Sequence, residues 1–245
     1  MKQGIYTVTE HRALTKDVYL LRLEGDTSSL TSPGQFVEIA LDGCFLRRPI
    51  SVCDYDSQGL TLIYKIVGRG TEAMSALKAG ARLDLLCGLG RGFDPSAAGE
   101  RPLLVGGGVG VPPLYRLARL LLAAGTRPEV VLGFNRAEEM FYVREFEELG
   151  AHVTVTTVDG SFGVRGFVTA ALPEGCTHVF ACGPMPMLKA LYGATQGIPG
   201  QFSLEERMGC GFGACMGCSI MTTEGSRRVC KDGPVFPKEV LGWQI

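Results

Sequence analysis

The chain has 245 residues, 46% of them apolar and 20% charged, with a formal net charge of −1. That composition can fill two domains and an appendage, and it supplies no electrostatic drive toward nucleic acid or anionic membranes. Leu117–Ala124 is too short for a membrane span and is broken by Arg119, and Met1–Lys16 lacks the apolar core of a signal peptide, so a soluble, cytoplasmic protein is expected.

Residues 4–95 read as strands. Ile5–Thr9 and Val18–Leu23 are rich in β-branched and aromatic residues and end in turn formers. Pro33-Gly34 introduces Gln35–Leu41, Gly59 separates Ile50–Val52 from Leu60–Val67, and Arg82–Leu86 follows. Short strands at this spacing predict an antiparallel barrel over residues 1–98. One helix is expected at Thr71–Leu77, with Thr71 as its N-cap. Arg48-Pro49-Ile50-Ser51 sets a guanidinium and a hydroxyl on one strand edge, a pairing suited to phosphate. Val67-Gly68-Arg69-Gly70-Thr71 adds a glycine turn running into the helix, a second anion site. Separately each reads as a surface arginine and a loop. Together, upstream of a dinucleotide fold, they point to a flavin.

After Arg101 the period changes. Strand Pro102–Val105, a glycine-rich turn and a helix over Val111–Ala124 come first, the helix with Leu114, Leu117, Ala118, Leu121 and Leu122 on one face. Strand Val130–Phe134, helix Met140–Leu149 and strands His152–Thr157 and His178–Ala181 follow. This alternation predicts a parallel α/β sheet over residues 99–200. Gly107, Gly108 and Gly110 lie in the strand-to-helix turn, where a pyrophosphate can approach the backbone. The turn departs from the ordinary dinucleotide fingerprint in lacking its third glycine and its ribose-binding acid. Cys182-Gly183-Pro184 ends a later strand, at the ligand-binding edge of such sheets, although taken alone it reads better as a strand end with a buried thiol. Arg136 is a candidate contact for a 2′-phosphate, or simply an exposed arginine.

From Gly200 onward little regular pattern is expected beyond the cysteines, so residues 201–245 read as a small cluster-binding module. Cys210, Cys215, Cys218 and Cys230 stand as C-x4-C-x2-C-x11-C, a spacing suited to a plant-type [2Fe–2S] centre. Gly209, Gly211, Gly213 and Gly217 let the backbone wrap a small inorganic core and aim N–H groups at its sulfurs. A structural zinc site usually shows two separated C-x2-C pairs, and this chain has one. Three cysteines within nine residues pair poorly as local disulfides. Cys44, Cys53, Cys87, Cys176 and Cys182 are expected as buried free thiols.

This order of motifs resembles the ferredoxin–NADP reductase superfamily. Leu89-Gly90-Arg91-Gly92-Phe93 and Asp159-Gly160-Ser161-Phe162-Gly163 look like loops of that superfamily. Ser203-Leu204-Glu205-Glu206-Arg207-Met208-Gly209-Cys210, with Cys230-Lys231-Asp232-Gly233-Pro234-Val235-Phe236, is similar to the electron-transfer subunits of class 1B dihydroorotate dehydrogenases. The resemblance covers essentially the whole chain. It implies FAD on Arg48, Pro49, Ile50, Ser51, Ile63, Tyr64, Lys65, Gly70 and Thr71, with Ile50 where the superfamily usually has tyrosine. It implies NAD(H) on Gly107, Gly108, Gly110, Cys182, Gly183 and Pro184, and the [2Fe–2S] cluster on Cys210, Cys215, Cys218 and Cys230. No residue set suits dihydroorotate itself. The resemblance therefore implies an FMN-containing TIM-barrel partner that oxidises it, two copies of each subunit forming a heterotetramer. Electrons would then run from dihydroorotate through FMN, cluster and FAD to NAD in pyrimidine synthesis. Two alternatives stand beside it: a reductase subunit of the NADH-dependent ferredoxin:NADP oxidoreductase or sulfhydrogenase type, and a zinc-stapled binding module.

Overall fold

Six antiparallel strands and one helix build the first part of the computed structural model, which describes residues 1–244. Strands β1 (Lys2–Ala13), β2 (Val18–Glu24), β3 (Phe36–Ile39), β4 (Arg48–Tyr55), β5 (Gly59–Lys65) and β6 (Arg82–Leu89) close a barrel in the order β1-β2-β5-β4-β3-β6. Alternation directs the closure: Leu83, Leu85 and Cys87 of β6 point inward and their neighbours outward. With Leu21, Leu23, Val37, Ile39, Leu60 and Leu62 they fill the interior. Each such side chain contributes roughly 1.5–3 kcal/mol by leaving water. β1 is longer than its apolar stretch, because its polar ends still pair, Lys2 with Cys87 and Ala13 with Tyr19.

Helix α1 (Arg69–Ser75) plugs one end of the barrel with the fully buried Met74. Its N-cap is Gly68, which corrects the expected Thr71. Thr71 stands one turn inside instead. Its hydroxyl accepts the N–H groups of Val67 (2.9 Å) and Gly68 (3.2 Å) and donates to the Gly68 carbonyl (3.0 Å). The threonine thus caps from within, filling the role that a glycine N-cap has no side chain to fill.

The second half alternates strand and helix: β7 (Pro102–Gly107), α2 (Pro112–Ala123), β8 (Glu129–Phe134), α3 (Val143–Glu148), β9 (His152–Thr157), β10 (Val164–Arg165), β11 (His178–Cys182) and α4 (Met185–Ala194). α3 is shorter than the expected Met140–Leu149, because Tyr142 adopts a left-handed conformation (φ 63°) that no helix can run through. α4 follows β11 without a periodic signal in the sequence; Pro184 and Pro186 mark only its start. The last segment departs from the expected irregular pattern. It supplies β12 (Gly200–Ser203), a hairpin of β13 (Ser219–Thr222) and β14 (Gly225–Arg228), α5 (Val229–Asp232), β15 (Val235–Pro237) and α6 (Lys238–Leu241).

β12 and β15 extend the parallel sheet to seven strands, ordered β10-β9-β8-β7-β11-β12-β15, with β15 alone antiparallel. The cysteine-bearing segment is therefore anchored in the parallel sheet. Buried Lys238 strengthens the anchor: its ammonium donates to the Thr195 hydroxyl (3.0 Å) and carbonyl and to the Ile198 carbonyl (3.1 Å), at the carboxyl end of α4. Barrel and sheet also share one apolar core, in which Val18, Cys53 and Ile63 meet Leu104, Leu114 and Leu117. Asp54 of β4 bridges that junction to Arg116 (3.0 Å) and Arg119 of α2, and Arg116 lies 4.1 Å over the Tyr55 ring. No helix among the described residues is long and apolar enough to cross a membrane.

Candidate functional site

Two cavities open along the junction. The smaller, about 310 Å³, is lined by Arg48, Pro49, Ile50, Ser51, Ile63, Tyr64, Lys65 and Thr71, bringing together eight of the nine residues expected to hold the flavin. The ninth, Gly70, lies beneath Arg48, where a Cβ would overlap the guanidinium. Arg48 donates to the Leu46 carbonyl at 2.6 Å, and no carboxylate among the described residues pairs with it. A cation held by backbone and left without a counter-ion at a cavity wall suits a pyrophosphate. Ile50 offers only an aliphatic face. Tyr64 is fixed from behind by His11, whose Nε2 lies 2.9 Å from the phenol oxygen.

The larger cavity, about 610 Å³, lies over the carboxyl ends of β7, β8 and β9 and is mostly apolar. Gly107, Gly108, Gly110, Gly183 and Pro184 line it as expected, whereas Cys182 faces the smaller cavity. Gly110 approaches β11 so closely that a Cβ would overlap the Cys182 carbonyl, so only glycine lets the turn close there. Pro112 and Pro113 remove the first two helix donors, leaving a 3₁₀ turn over Gly108–Gly110 to present N–H groups. Arg136 is tied to Glu139 (3.4 Å), whose other oxygen accepts from Asn135 at 2.8 Å. Glu139 lines the cavity, so a carboxylate stands where a free arginine was considered.

Lys65, Val109 and Glu205 line both cavities, so the two form adjoining halves of one cleft. Glu205 is open to cleft solvent yet enclosed by protein atoms, and that enclosure raises its carboxyl above the ordinary range. Burial pushes the Cys182 thiol up to about 12; Glu205 adds to the rise and Ser203 opposes it. It is a neutral thiol at physiological pH. Glu205 escaped sequence reasoning as a site residue, although the Ser203–Cys210 stretch contained it. Phe36 of the smaller cavity and Thr156 of the larger carried no motif at all, and Ser203 of the smaller one only opened that same stretch.

The four cysteines form two pairs. The Cys215 N–H donates to the Cys210 sulfur and the Cys230 N–H to the Cys218 sulfur, each at 3.4 Å. Cys218 and Cys230 are buried, Cys210 is half-buried and Cys215 is exposed. Burial pushes the Cys210 thiol up, but the N–H groups of Cys215, Phe212 and Ala214 outweigh it and bring the thiol down to about 6. The Ala214 and Cys215 donors lie 3.2 and 3.4 Å from its sulfur. Burial and the neighbouring Cys218 raise Cys230 to about 12. Among the described residues no three His, Cys, Asp or Glu groups converge on a single metal point. Two thiol pairs with sulfur-directed N–H groups form a donor set that fits two bridged irons.

Comparison with known proteins agrees with this geometry. Residues 205–242 match the iron–sulfur cluster binding domain of dihydroorotate dehydrogenase B, and residues 104–192 match an oxidoreductase NAD-binding domain. The dihydroorotate dehydrogenase B (NAD+) electron transfer subunit of Shouchella clausii is 42% identical, covering 96% of each chain. That of a Geobacillus species is 44% identical over 96% of this chain and 97% of its own. The chain belongs to the family of dihydroorotate dehydrogenase B (NAD+) electron transfer subunits. The solved structure of an NADH-dependent reduced ferredoxin–NADP oxidoreductase superposes with a TM-score of 0.88 at 30% identity, covering 98% of this chain and 90% of that one. The ferredoxin reductase of carbazole 1,9a-dioxygenase shares the fold (TM-score 0.71, 23% identity, 82% and 68% of the two chains) but lies further from the family. Membership makes this an oxidoreductase subunit that combines flavin, iron–sulfur and nicotinamide sites.

Proposed function

We propose that the chain carries electrons between a catalytic partner subunit and NAD, with each site assigned to the residues expected of it. Arg48 and the Gly70–Thr71 turn hold the FAD pyrophosphate, and Pro49–Ser51 with Ile63–Lys65 line its ring. Gly107, Gly108, Gly110, Gly183 and Pro184 hold NAD(H), Glu205 stands between the two ligands, and Cys182 lies on the flavin side. Cys210, Cys215, Cys218 and Cys230 would hold the [2Fe–2S] centre. When bound, the flavin supplies the exchange between hydride transfer and single-electron transfer. The chain's own task is to keep the three groups adjacent. One observation carries this assignment: Lys65, Val109 and Glu205 wall both cavities, while Phe36 lines the smaller one and packs in the same apolar cluster as Cys218 and Cys230.

The partner is an FMN-containing TIM barrel that oxidises dihydroorotate, joined in a heterotetramer in the cytoplasm. The likeness to a ferredoxin–NADP oxidoreductase keeps a second partner in view. The deciding experiment is co-purification with each candidate partner. Dihydroorotate-dependent NAD reduction should require the FMN subunit, and the isolated chain should oxidise NADH only with artificial acceptors. Dihydroorotate-dependent NAD reduction by the chain alone would refute the assignment. Cys218→Ser should abolish iron and sulfide while leaving the flavin bound.

A further inference from the structure

Glu38 of β3 is 1% exposed, and neither of its carboxylate oxygens has a hydrogen-bond partner among the described residues. Such a group works against folding, so its presence asks for a function. The nearby Arg47 does not neutralise it. That guanidinium is spent on Asp84, with contacts of 2.8 and 3.2 Å to the carboxylate and 2.9 Å to the carbonyl, and it reaches only the backbone oxygen of Glu38, at 3.5 Å. What the carboxyl does face is Gly211, the residue after Cys210. Gly211 has φ +74°, and a Cβ there would overlap the Glu38 carboxyl. The cysteine loop therefore rests directly on this group. Side chains two apart on a strand share a face, and the other member of this face is Phe36. Phe36 lines the flavin cavity and packs in the same cluster as Cys218 and Cys230. Val37 and Ile39 turn the opposite way, into the barrel core.

We propose that Glu38 tunes the iron–sulfur centre: in its ionised form, the carboxyl buried against the cysteine loop, in the wall shared with the flavin cavity, makes the centre harder to reduce. The inference rests on the assignment of the four cysteines to a [2Fe–2S] centre. Net charge and the surroundings of the sulfurs set the potential of such a centre. A charge buried in a poorly polarisable wall is screened far less than one in solvent. The role is positional, because Glu38 acts through the loop and is not itself a ligand.

The test uses the full chain with its cofactors, in alkaline buffer that keeps the carboxyl ionised. Glu38→Gln keeps the shape and removes the charge; Glu38→Leu removes charge and polarity together. In an EPR-monitored redox titration both variants should show a higher midpoint potential for the cluster, with iron, sulfide and flavin contents unchanged. The cluster-free Glu38→Leu chain should also melt at a higher temperature than the cluster-free parent, since an unpaired buried carboxyl has gone. Unchanged potentials in both variants would overturn the proposal. So would loss of the cluster from both with flavin retained, which would make Glu38 a scaffold for the loop. Absence of iron and sulfide from the unsubstituted chain would refute the cluster assignment, and the tuning role with it.

Discussion

Arg48→Ala isolates the flavin assignment. In the structure one guanidinium nitrogen of Arg48 is spent on the carbonyls of Leu46 (2.6 Å) and Arg47 (3.4 Å), and the side chain lines the smaller cavity over Gly70. Hydrogen bonds from a charged donor contribute about 1.5–3 kcal/mol each. At 1.4 kcal/mol per tenfold change, removing one should raise the FAD dissociation constant by about 10–100-fold. The fold should survive, because Arg48 is only half-buried and the two carbonyls it releases can be hydrated. Arg48→Lys keeps the charge but loses the planar fork, and should fall between the two. The assay is flavin fluorescence on serial dilution, with circular dichroism as the control for folding. Full flavin retention by Arg48→Ala at concentrations that strip the unsubstituted chain of part of its flavin would show that the arginine plays no part in holding it.

Three further outcomes follow from the packing. Asp54→Ala removes the bridge from β4 to Arg116 and Arg119, so stopped-flow flavin reduction by NADH should slow while flavin affinity stays unchanged; an unaltered rate would mean that the shared apolar core alone sets the junction. Lys238→Ala strips three acceptors at the end of α4 of their donor and should cost about 1.5–3 kcal/mol in urea unfolding, a loss that exposed Lys189→Ala should not show. Burial lowers the pKa of His178 from its ordinary 6.5, with Glu239 and Asp94 opposing. Its neutral form is therefore favoured in the folded chain, and the stability this represents is present above about pH 6.5 and lost as pH falls through the lower folded value. His178→Gln should flatten that acidic loss, and an unchanged slope would assign it to other groups.

The parts of the fold legible in sequence are those with a strong local rule. The β6 alternation, the amphipathic α2 and the run from Pro102 into the glycine turn each follow from period and turn chemistry, and each forms where expected. The cysteine spacing likewise requires no tertiary information. What stayed hidden is set by partners distant in the chain. β12 and β15 are short, and their places in the sheet are decided by partners far off in the chain: β11, about twenty residues before β12, and β12 itself, over thirty residues before β15. Thr71 was expected as an N-cap because a threonine before a helical run usually is one; here Gly68 takes that position and Thr71 reaches back to it. Glu205 and Glu38 illustrate the limit most sharply, since one looks like any acid before a loop and the other like any acid on a strand. Only the folded chain shows that the first separates two cavities and the second lies under the cysteines.

The burial of the cysteines gives the proposed route a direction. Cys218 and Cys230 lie in the apolar cluster with Phe36 and Leu204, both of which also line the smaller cavity. Cys215 is exposed, and Phe212 and Met216 beside it stand 47% and 54% open to solvent. One thiol pair thus faces inward, toward the smaller cavity, and the other carries the exposed Cys215. Val235 and Phe236 have the same apolar character, yet they are buried in the two cores, and half-buried Met208 packs against the inner cluster and lines the smaller cavity. Exposed apolar side chains around an outward-facing ligand pair are costly in an isolated chain and useful in an interface core. A single charge placed among them separates these roles. Phe212→Asp should weaken assembly with the catalytic subunit by about tenfold or more, the range of an interface anchor, while leaving the flavin and cluster spectra intact. Unimpaired assembly would place the partner on another face, and the outward pair would then need a different reason to be exposed.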